Sequence, residues 1–171
     1  MGVIARWGNC DFQQLKRLQE KLNRLQVQAN DIDTFCEDCA KELAARLLAK
    51  VIKITPLRKP ENCPPGVVGG TLRRGWTATT EAEAQGRGRS NAKQYAESLS
   101  VSKTGNVYQI EIVNPVNYAS YIEFGHRTRN HAGWVNGHFM LTISEQEIEN
   151  QAPAIFEKKL MKYLGEAFNA E

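Results

Sequence analysis

The amino-acid sequence predicts an α+β fold, in which a small antiparallel sheet of about three to four strands packs against helices that long loops connect. Two observations lead to this prediction. Residues 11–28 and 33–54 carry apolar side chains at spacings of three and four, which is typical of amphipathic helices. Residues 99–113 instead alternate apolar and polar side chains around a glycine-containing turn, as the strands of a β-hairpin do.

Length and composition limit the class of protein. A chain of 171 residues and 19.2 kDa is the size of one domain, and we expect residues 1–171 to form a single one. Hydrophobic residues at 42% and charged residues at 24% exclude a collagen-like or wholly disordered chain. No apolar run approaches the roughly 20 residues that a membrane span needs. Because residues 1–11 also lack the pattern of a secretion signal, we expect neither membrane insertion nor export by such a signal.

Residues 11–28 form the first predicted helix, with apolar side chains on one face and basic side chains on the others. Residues 33–54 form the second, in which Thr34 and Glu37 match a capping box that satisfies free amides of the first turn. Acidic residues crowd the start of this second helix and basic residues its end, as the helix dipole favours. Pro56 ends it, and its wide apolar face makes it the predicted core helix.

The middle of the chain alternates between predicted loops and strands. Residues 57–70 are rich in proline and glycine and predict a flexible loop. Residues 71–80 predict a first strand, and residues 81–96 predict a long mobile insertion. A β-hairpin follows, with strands at residues 99–103 and 107–113. Its buried face is either the neighbouring parity, if a bulge intervenes, or the set Leu99, Val101, Tyr108, Ile110 and Ile112.

The last third of the chain predicts two more helices. Residues 118–124 fit two helical turns closed by Gly125, and residues 126–139 follow as a loop. Residues 141–168 predict a long closing helix in which Pro153 either introduces a kink or divides the helix in two. The sequence offers two competing capping boxes for its start, Thr142 with Glu145 and Ser144 with Glu147.

Cys36 and Cys39 have the CxxC spacing of zinc and redox sites, but their context argues against both. A structural zinc site needs four ligands, and Cys10 and Cys63 stand at distant positions. Redox CxxC motifs lie at a strand-to-helix junction, whereas this pair falls inside the second predicted helix. We therefore expect buried helical thiols in a reduced protein.

The sequence carries no recognisable catalytic motif. Neither a nucleophile elbow, a phosphate-binding loop, a zinc-protease helix nor a dinucleotide fingerprint occurs. His126, His131 and His138 lie close together, but a metal or nuclease site would have to recruit Glu123 or Cys36 from outside their loop. We therefore expect no catalytic residues, no cofactor and no metal.

The loop at residues 126–139 instead suggests an assembly surface. It places Trp134 and Phe139 beside Arg127 and Arg129 in a segment without acidic residues. Aromatic residues and arginine are enriched at protein interfaces. The alternative is that Trp134 folds back onto its own domain. In the first case, we expect the loop to be mobile in an isolated subunit and to become ordered against its neighbours.

Three segments together resemble the tail-completion, or head-tail joining, proteins of tailed bacteriophages. They are residues 69–76 (GGTLRRGW), residues 114–126 (NPVNYASYIEFGH) and the basic loop that reaches GHFM at residues 137–140. The resemblance extends from residue 7 to residue 168. Its most specific part is the pattern formed by Tyr118, Ala119, Glu123 and Gly125.

This resemblance implies a structural protein of the virion neck, or collar, or of the tail end, assembled in the bacterial host cytoplasm. It implies a homo-oligomeric ring, often a hexamer, that joins the portal or connector to the tail. Such a ring contacts tail terminator, tail tube or sheath proteins, and DNA passes through its channel. The resemblance also implies no catalysis and no cofactor. We take the following residues as interface candidates: Arg73, Arg74, Trp76, Tyr118, Glu123, His126, Arg127, Arg129, Trp134 and Phe139.

Two further expectations concern arginines. Glu123 and one of Arg73 or Arg74 are predicted to form an ion pair or hydrogen bond between the short helix and the first strand.

The alternative function is a small nucleic-acid-binding or nuclease-associated module that uses Arg73, Arg74, Arg87 and Arg89. DNA binding by such a module would depend steeply on salt, because phosphate contacts release counterions.

We predict that the purified protein holds no metal, because the CxxC pair has no second pair of ligands to complete a tetrahedral site. Elemental analysis after dialysis is expected to find no stoichiometric zinc, and a chelator is expected to leave the melting temperature unchanged. Stoichiometric zinc that survives dialysis, together with a melting transition that the chelator abolishes, would contradict this prediction.

Overall fold

The computed structural model describes residues 32–58, 69–86, 88, 90–105 and 107–169. The predicted helix at residues 11–28 and most of the predicted loop at residues 57–70 lie outside the described residues. The part of the chain that is described contains six helices and four short strands, which confirms the α+β class with a small sheet. In chain order the elements are α1 (Ile32–Ile54), α2 (Thr71–Gly75), α3 (Glu81–Gln85), α4 (Ala92–Ser98), β1 (Ser102–Thr104), β2 (Val107–Gln109), α5 (Ala119–Phe124), β3 (Gly125–Arg127), β4 (Trp134–Asn136) and α6 (Met140–Asn169).

Helix α1 is the core helix, as its apolar face predicts. It packs against α4 and α6, and its Leu48 and Val51 side chains are fully buried. The helix begins at Ile32, two residues before Thr34. The predicted capping box is therefore wrong, because Thr34 lies inside the first helical turn. The buried core cluster is formed by Ala44, Leu48, Val51, Leu72, Trp76, Ala78, Ala84, Ala96, Val116 and Met140.

Side chains from α2 and the turn after it close the carboxyl end of α1. Arg73 Nε donates to the Thr55 carbonyl oxygen over 2.7 Å, and Trp76 Nε1 donates to the Thr55 hydroxyl over 2.8 Å. That hydroxyl donates in turn to the Val51 carbonyl oxygen over 2.6 Å. Since the last carbonyls of a helix have no helical donor, these bonds satisfy the end of α1 and hold α2 against it.

The strand predicted at residues 71–80 is wrong, because this segment forms α2 followed by a turn. Leu72 and Trp76 are four residues apart, a spacing that places both on one face of a helix and equally on one face of a strand. Hydrogen bonds from Arg74 to backbone outside the segment favour the helix. Arg74 donates to the carbonyl oxygens of Gly69 at 3.0 Å and of Ala84 at 2.9 Å, which holds the segment in a compact form.

The long mobile insertion predicted at residues 81–96 is also wrong, since it contains α3 and most of α4. Two polar side chains cap these helices. The side-chain oxygens of Thr80 and Asn91 each accept from the amide three residues later, at 3.2 and 3.1 Å. Ala84 and Ala96 are fully buried in the core cluster. Because the segment is rich in glycine and arginine, its sequence did not predict these two short helices.

The strands of the described residues form two separate antiparallel hairpins rather than one sheet of three to four strands. In the first hairpin, β1 pairs with β2, from Ser102 opposite Gln109 to Thr104 opposite Val107. Both strands are shorter than predicted; β2 lies within its predicted segment, whereas β1 extends one residue past residue 103, where the first strand was predicted to end. The predicted buried set of Leu99, Val101, Tyr108, Ile110 and Ile112 is correct, because these side chains are partly buried while their neighbours are exposed.

Helix α6 is continuous through Pro153, so the proline does not divide it. Two ion pairs hold α6 against α1. Lys50 pairs with Glu147, and Lys159 Nζ lies 3.0 Å from a carboxylate oxygen of Glu42. None of the described helices combines the length and the apolar character that crossing a membrane demands.

The indole of Trp76, which is only 4% exposed, generates a stability prediction. Trp76→Phe removes the donor to the Thr55 hydroxyl from a buried site, so the free energy of unfolding is expected to fall by about 1–3 kcal/mol. Trp134→Phe is the matched control, because that side chain is 59% exposed. Urea denaturation followed by circular dichroism measures both variants, and equal stability of the two would show that the Trp76 bond does not stabilise the fold.

Candidate assembly surface

The Glu123 side chain, on α5, is only 5% exposed and caps the amino terminus of α6. Its carboxylate oxygens accept from the backbone amides of Leu141 and Thr142, each at 3.0 Å, and from the Thr142 hydroxyl at 2.9 Å. The first amides of a helix have no helical acceptor, and a negative charge at this end is favoured by the helix dipole. One carboxylate therefore satisfies two free amides and fixes α5 to α6.

The ion pair predicted between Glu123 and Arg73 or Arg74 is wrong. Arg73 donates to the carbonyl oxygens at the end of α1, and Arg74 donates to those of Gly69 and Ala84. Both arginines therefore bind unsatisfied backbone carbonyls, while Glu123 binds unsatisfied backbone amides. The arginines and Glu123 therefore bind backbone groups and do not bind each other.

The two capping boxes predicted within the last helix are wrong as well. Because α6 begins at Met140, Thr142 and Ser144 both lie inside it. The Ser144 hydroxyl is buried and donates to the Met140 carbonyl oxygen over 2.7 Å. The cap comes from Glu123, a residue distant in sequence that a local pattern cannot identify.

The segment at residues 126–139, predicted to be a loop, is largely a second β-hairpin. Strand β3 pairs with β4, with Gly125 opposite Asn136 and Arg127 opposite Trp134. At its tip, the Thr128 amide donates to the Gly133 carbonyl oxygen over 3.0 Å. The mobility that the sequence suggests for this segment stays a prediction.

Two glycines let the backbone pack closely here, Gly125 between β3 and β4 and Gly137 between the hairpin and α5. A Cβ atom at Gly125 would stand 2.3 Å from the Val135 carbonyl oxygen, and one at Gly137 would stand 2.1 Å from the Glu123 carbonyl oxygen. Gly125 also has a φ of +85°, and it closes α5 as predicted. A larger residue at Gly125 would push β4 away from β3, and one at Gly137 would push the hairpin away from α5.

Backbone hydrogen bonds complete the junction between the hairpin and α5. The amides of His138 and Phe139 donate to the carbonyl oxygens of Ile122 and Glu123, at 2.8 and 3.0 Å. Together with the Glu123 cap, these bonds join α5, the β3–β4 hairpin and the start of α6 into one unit.

This unit exposes seven large apolar side chains, which lie on both faces of the hairpin and on the adjoining helices and which we together call the aromatic surface. They come from α5 and its first turn, from β4 and from the start of α6, and each is at least 41% exposed. Large exposed apolar patches on soluble domains mark interaction sites more often than isolated exposed residues do. The members of the aromatic surface are Tyr118, Tyr121, Phe124, Trp134, Val135, Phe139 and Ile143.

The hairpin within this unit is also basic. Arg127 and Arg129 are exposed, and residues 125–139 contain no acidic residue. Among the described residues, no carboxylate lies within ion-pairing distance of either guanidinium group. The unit therefore presents aromatic rings and unpaired positive charge side by side.

The structure brings six of the ten predicted interface residues together on this unit and places the other four elsewhere or inside. Trp76 and Glu123 are buried, and Arg73 and Arg74 are partly buried with their guanidinium groups bonded to backbone. The six on the unit's surface are Tyr118, His126, Arg127, Arg129, Trp134 and Phe139.

The sequence prediction missed Tyr121, Phe124, Val135 and Ile143, which are exposed members of the aromatic surface. A signal for the first two was present. A six-residue helix cannot bury apolar side chains on every face, so the aromatic residues of the YASYIEF segment had to leave some rings in solvent.

A groove of about 770 Å³ lies beside the aromatic surface, between α5, the start of α2 and the segment after α1. Its walls are mainly apolar and include Leu57, Leu72 and Tyr121, with the imidazoles of His126 and His138 at one side. The His126 ring meets the Tyr121 ring edge-on, with centroids 5.9 Å apart. The groove extends the apolar character of this side of the molecule.

The cysteines offer no reactive centre in the described part of the chain. Cys36 and Cys39 lie on α1, as predicted. Burial raises the pKa of the Cys39 thiol above its ordinary value of 9.0, so the thiol is protonated at neutral pH. No group of three or more histidine, cysteine or acidic side chains with metal-binding geometry occurs among the described residues.

Comparison with known protein families matches residues 16–125 to the HK97-gp10-like family, described as "Bacteriophage HK97-gp10, putative tail-component". The matched range includes α1 to α5 and ends at Gly125, where α5 meets the hairpin. No curated protein and no solved structure matches the chain.

The Glu123 cap generates the prediction for this site. Glu123→Ala leaves the Leu141 and Thr142 amides without an acceptor, so the free energy of unfolding is expected to fall by about 1–3 kcal/mol. Glu157→Ala is the matched control, because it removes an exposed carboxylate from α6, the helix that Glu123 caps. Urea denaturation measures both losses. If Glu123→Ala costs no more than the control, the carboxylate does not hold the junction together.

Proposed function

The chain belongs to the HK97-gp10-like family of bacteriophage tail components, and from this premise we propose that it is a subunit of a ring in the virion neck or at the tail end. In this proposal the ring is a hexamer that joins the portal or connector to the tail. Membership of a family of structural tail components also supports the proposal that the chain performs no catalysis.

The aromatic surface is the observation that carries this proposal. Exposed rings such as Trp134 and Phe124 are costly in water, since burying apolar surface gains about 25 cal/mol per Å². Tryptophan, tyrosine and arginine are also the residues that dominate the binding energy of protein interfaces. A unit that carries all three, with arginines beside the aromatic surface and with bonds to α5 and α6, fits a subunit that binds neighbouring proteins.

The partners and location follow from the same proposal. As a phage tail component, the protein interacts with other virion proteins. We place it next to portal or connector proteins on one side and tail terminator, tube or sheath proteins on the other, after assembly in the host cytoplasm. Residues 1–171 act as one domain in this proposal.

The alternative of a nucleic-acid-binding module gains no support from the arginines that suggested it. Arg73 and Arg74 donate to backbone carbonyls inside the fold. Arg87 and Arg89 lie outside the described residues. We therefore do not propose this second function.

Replacement of the hairpin anchors tests the proposed function. The double variant Trp134→Ala with Arg129→Ala is expected to keep the wild-type melting temperature, because both side chains are exposed, and to be absent from tailed particles. Complementation of a phage that lacks the gene, followed by mass spectrometry of purified particles, measures incorporation.

The control for this experiment is Val107→Ala with Lys93→Ala, which truncates an exposed apolar side chain on β2 and an exposed basic side chain on α4, both outside the β3–β4 hairpin. The control is expected to enter particles at the wild-type level. Incorporation of the Trp134 and Arg129 variant at the same level would mean that the aromatic surface is not the assembly surface.

A further inference from the structure

Helix α6 carries an exposed face that no other described element covers. Glu145, Glu149, Phe156 and Leu160 fall within about 60° of one another around the helix axis at 3.6 residues per turn. All four are exposed, with Phe156 and Leu160 at 40% and 45%. We call these four residues the α6 stripe. It combines two carboxylates with two large apolar side chains.

The α6 stripe is negatively charged and unpaired. From Met140 to Glu157 the helix contains four glutamates and no lysine or arginine. Glu147 pairs with Lys50. Within the described part of the chain, no cation lies within ion-pairing distance of Glu145 or Glu149.

Pro153 adds a hydrogen-bond acceptor next to the stripe. Proline has no amide hydrogen, so Pro153 leaves the Glu149 carbonyl oxygen without its helical donor. Both residues are exposed. The face therefore offers carboxylates, a free carbonyl oxygen and apolar side chains to a partner that brings donors, positive charge and aromatic rings.

The β3–β4 hairpin has that complementary chemistry. Arg127 and Arg129 supply unpaired guanidinium groups, and Trp134 supplies an exposed ring and an indole donor. We propose that the hairpin of one copy docks on the α6 stripe of a second copy, with arginine against glutamate and aromatic against apolar side chains. This inference rests on the ring proposed above and names the surfaces that join its subunits.

The hairpin cannot reach the apolar half of the stripe, Phe156 and Leu160, within its own chain. Glu123 and the backbone bonds of His138 and Phe139 fix the hairpin at the start of α6. Phe156 lies 16 residues beyond Met140, which at 1.5 Å per residue is about 24 Å along the helix. A strand of three residues spans only about 10 Å. The contact therefore joins the hairpin of one copy to the α6 stripe of the next copy, which are two different surfaces of the chain. Such a head-to-tail contact closes into a ring when the rotation between successive copies permits.

Charge reversal on each surface of the full-length protein tests this inference. The first variant carries Arg127→Glu with Arg129→Glu, and the second carries Glu145→Arg with Glu149→Arg. Each variant alone brings like charges together, so its mass by light scattering is expected to fall to the 19.2 kDa of one chain. An equimolar mixture is expected to regain the wild-type oligomer, because each hairpin then meets opposite charge on the stripe of the other variant.

A control variant and a pair of glutamine variants test whether changed net charge or misfolding explains a loss of assembly. Glu37→Arg with Glu157→Arg changes the net charge as much as the second variant does, at exposed positions outside the stripe, and is expected to assemble normally. If a charge-reversed variant fails to fold, as judged by circular dichroism, the glutamine substitutions at the same positions replace it. The glutamine variants are expected to weaken assembly without abolishing it.

The outcomes separate this inference from the proposed function. A wild type that stays monomeric at its highest soluble concentration would overturn the ring and this contact with it. A wild type that forms rings, with a stripe variant that assembles equally well, would overturn the α6 stripe alone. A mixture that fails to regain the oligomer would also exclude direct pairing of the two surfaces.

Discussion

The Glu123 carboxylate, buried at the amino terminus of α6, is the interaction on which this side of the molecule depends. It accepts from the Leu141 and Thr142 amides and so joins a short helix to the longest one. The hairpin between them has strands of only three residues each, and the bonds from the His138 and Phe139 amides to α5 also hold it. Without the cap, α6 would begin with free amides and the hairpin would lose one of the contacts that fix its position.

A fixed junction has a consequence for binding. Ordering the chain costs about 1–2 kcal/mol per residue, and a surface that is already formed avoids much of that cost when a partner binds. Gly125 contributes by letting β3 and β4 approach closely, and Gly137 by letting the hairpin backbone touch α5. The candidate site was predictable in its chemistry, because the aromatic and basic residues are adjacent in sequence. Its geometry was not, because the Glu123 cap links residues that are 18 and 19 positions apart.

The same distinction between local and distant contacts explains which elements of the fold were predictable. Periodicity and turn residues predict helix α1, helix α5 and the β1–β2 hairpin. Helix α2 is not predictable in this way, because the spacing of Leu72 and Trp76 suits a strand equally well. Hydrogen bonds from Arg74 to Ala84 and from Trp76 to Thr55 favour the helix. Helices α3 and α4 are too short for periodicity to reveal, and only their caps mark them. The two separate hairpins depend on packing against helices, which no strand pattern encodes.

Hydrogen exchange of the full-length protein, free and assembled in particles, tests the central claim most directly. That claim is that a surface anchored by Glu123 forms the contact between subunits. The account predicts slow exchange of the Leu141 and Thr142 amides in both states, because the cap is present in both. It predicts that residues 126–138 gain protection on assembly. Equal protection of residues 126–138 in the two states, or fast exchange of the two capped amides in the free protein, would contradict it.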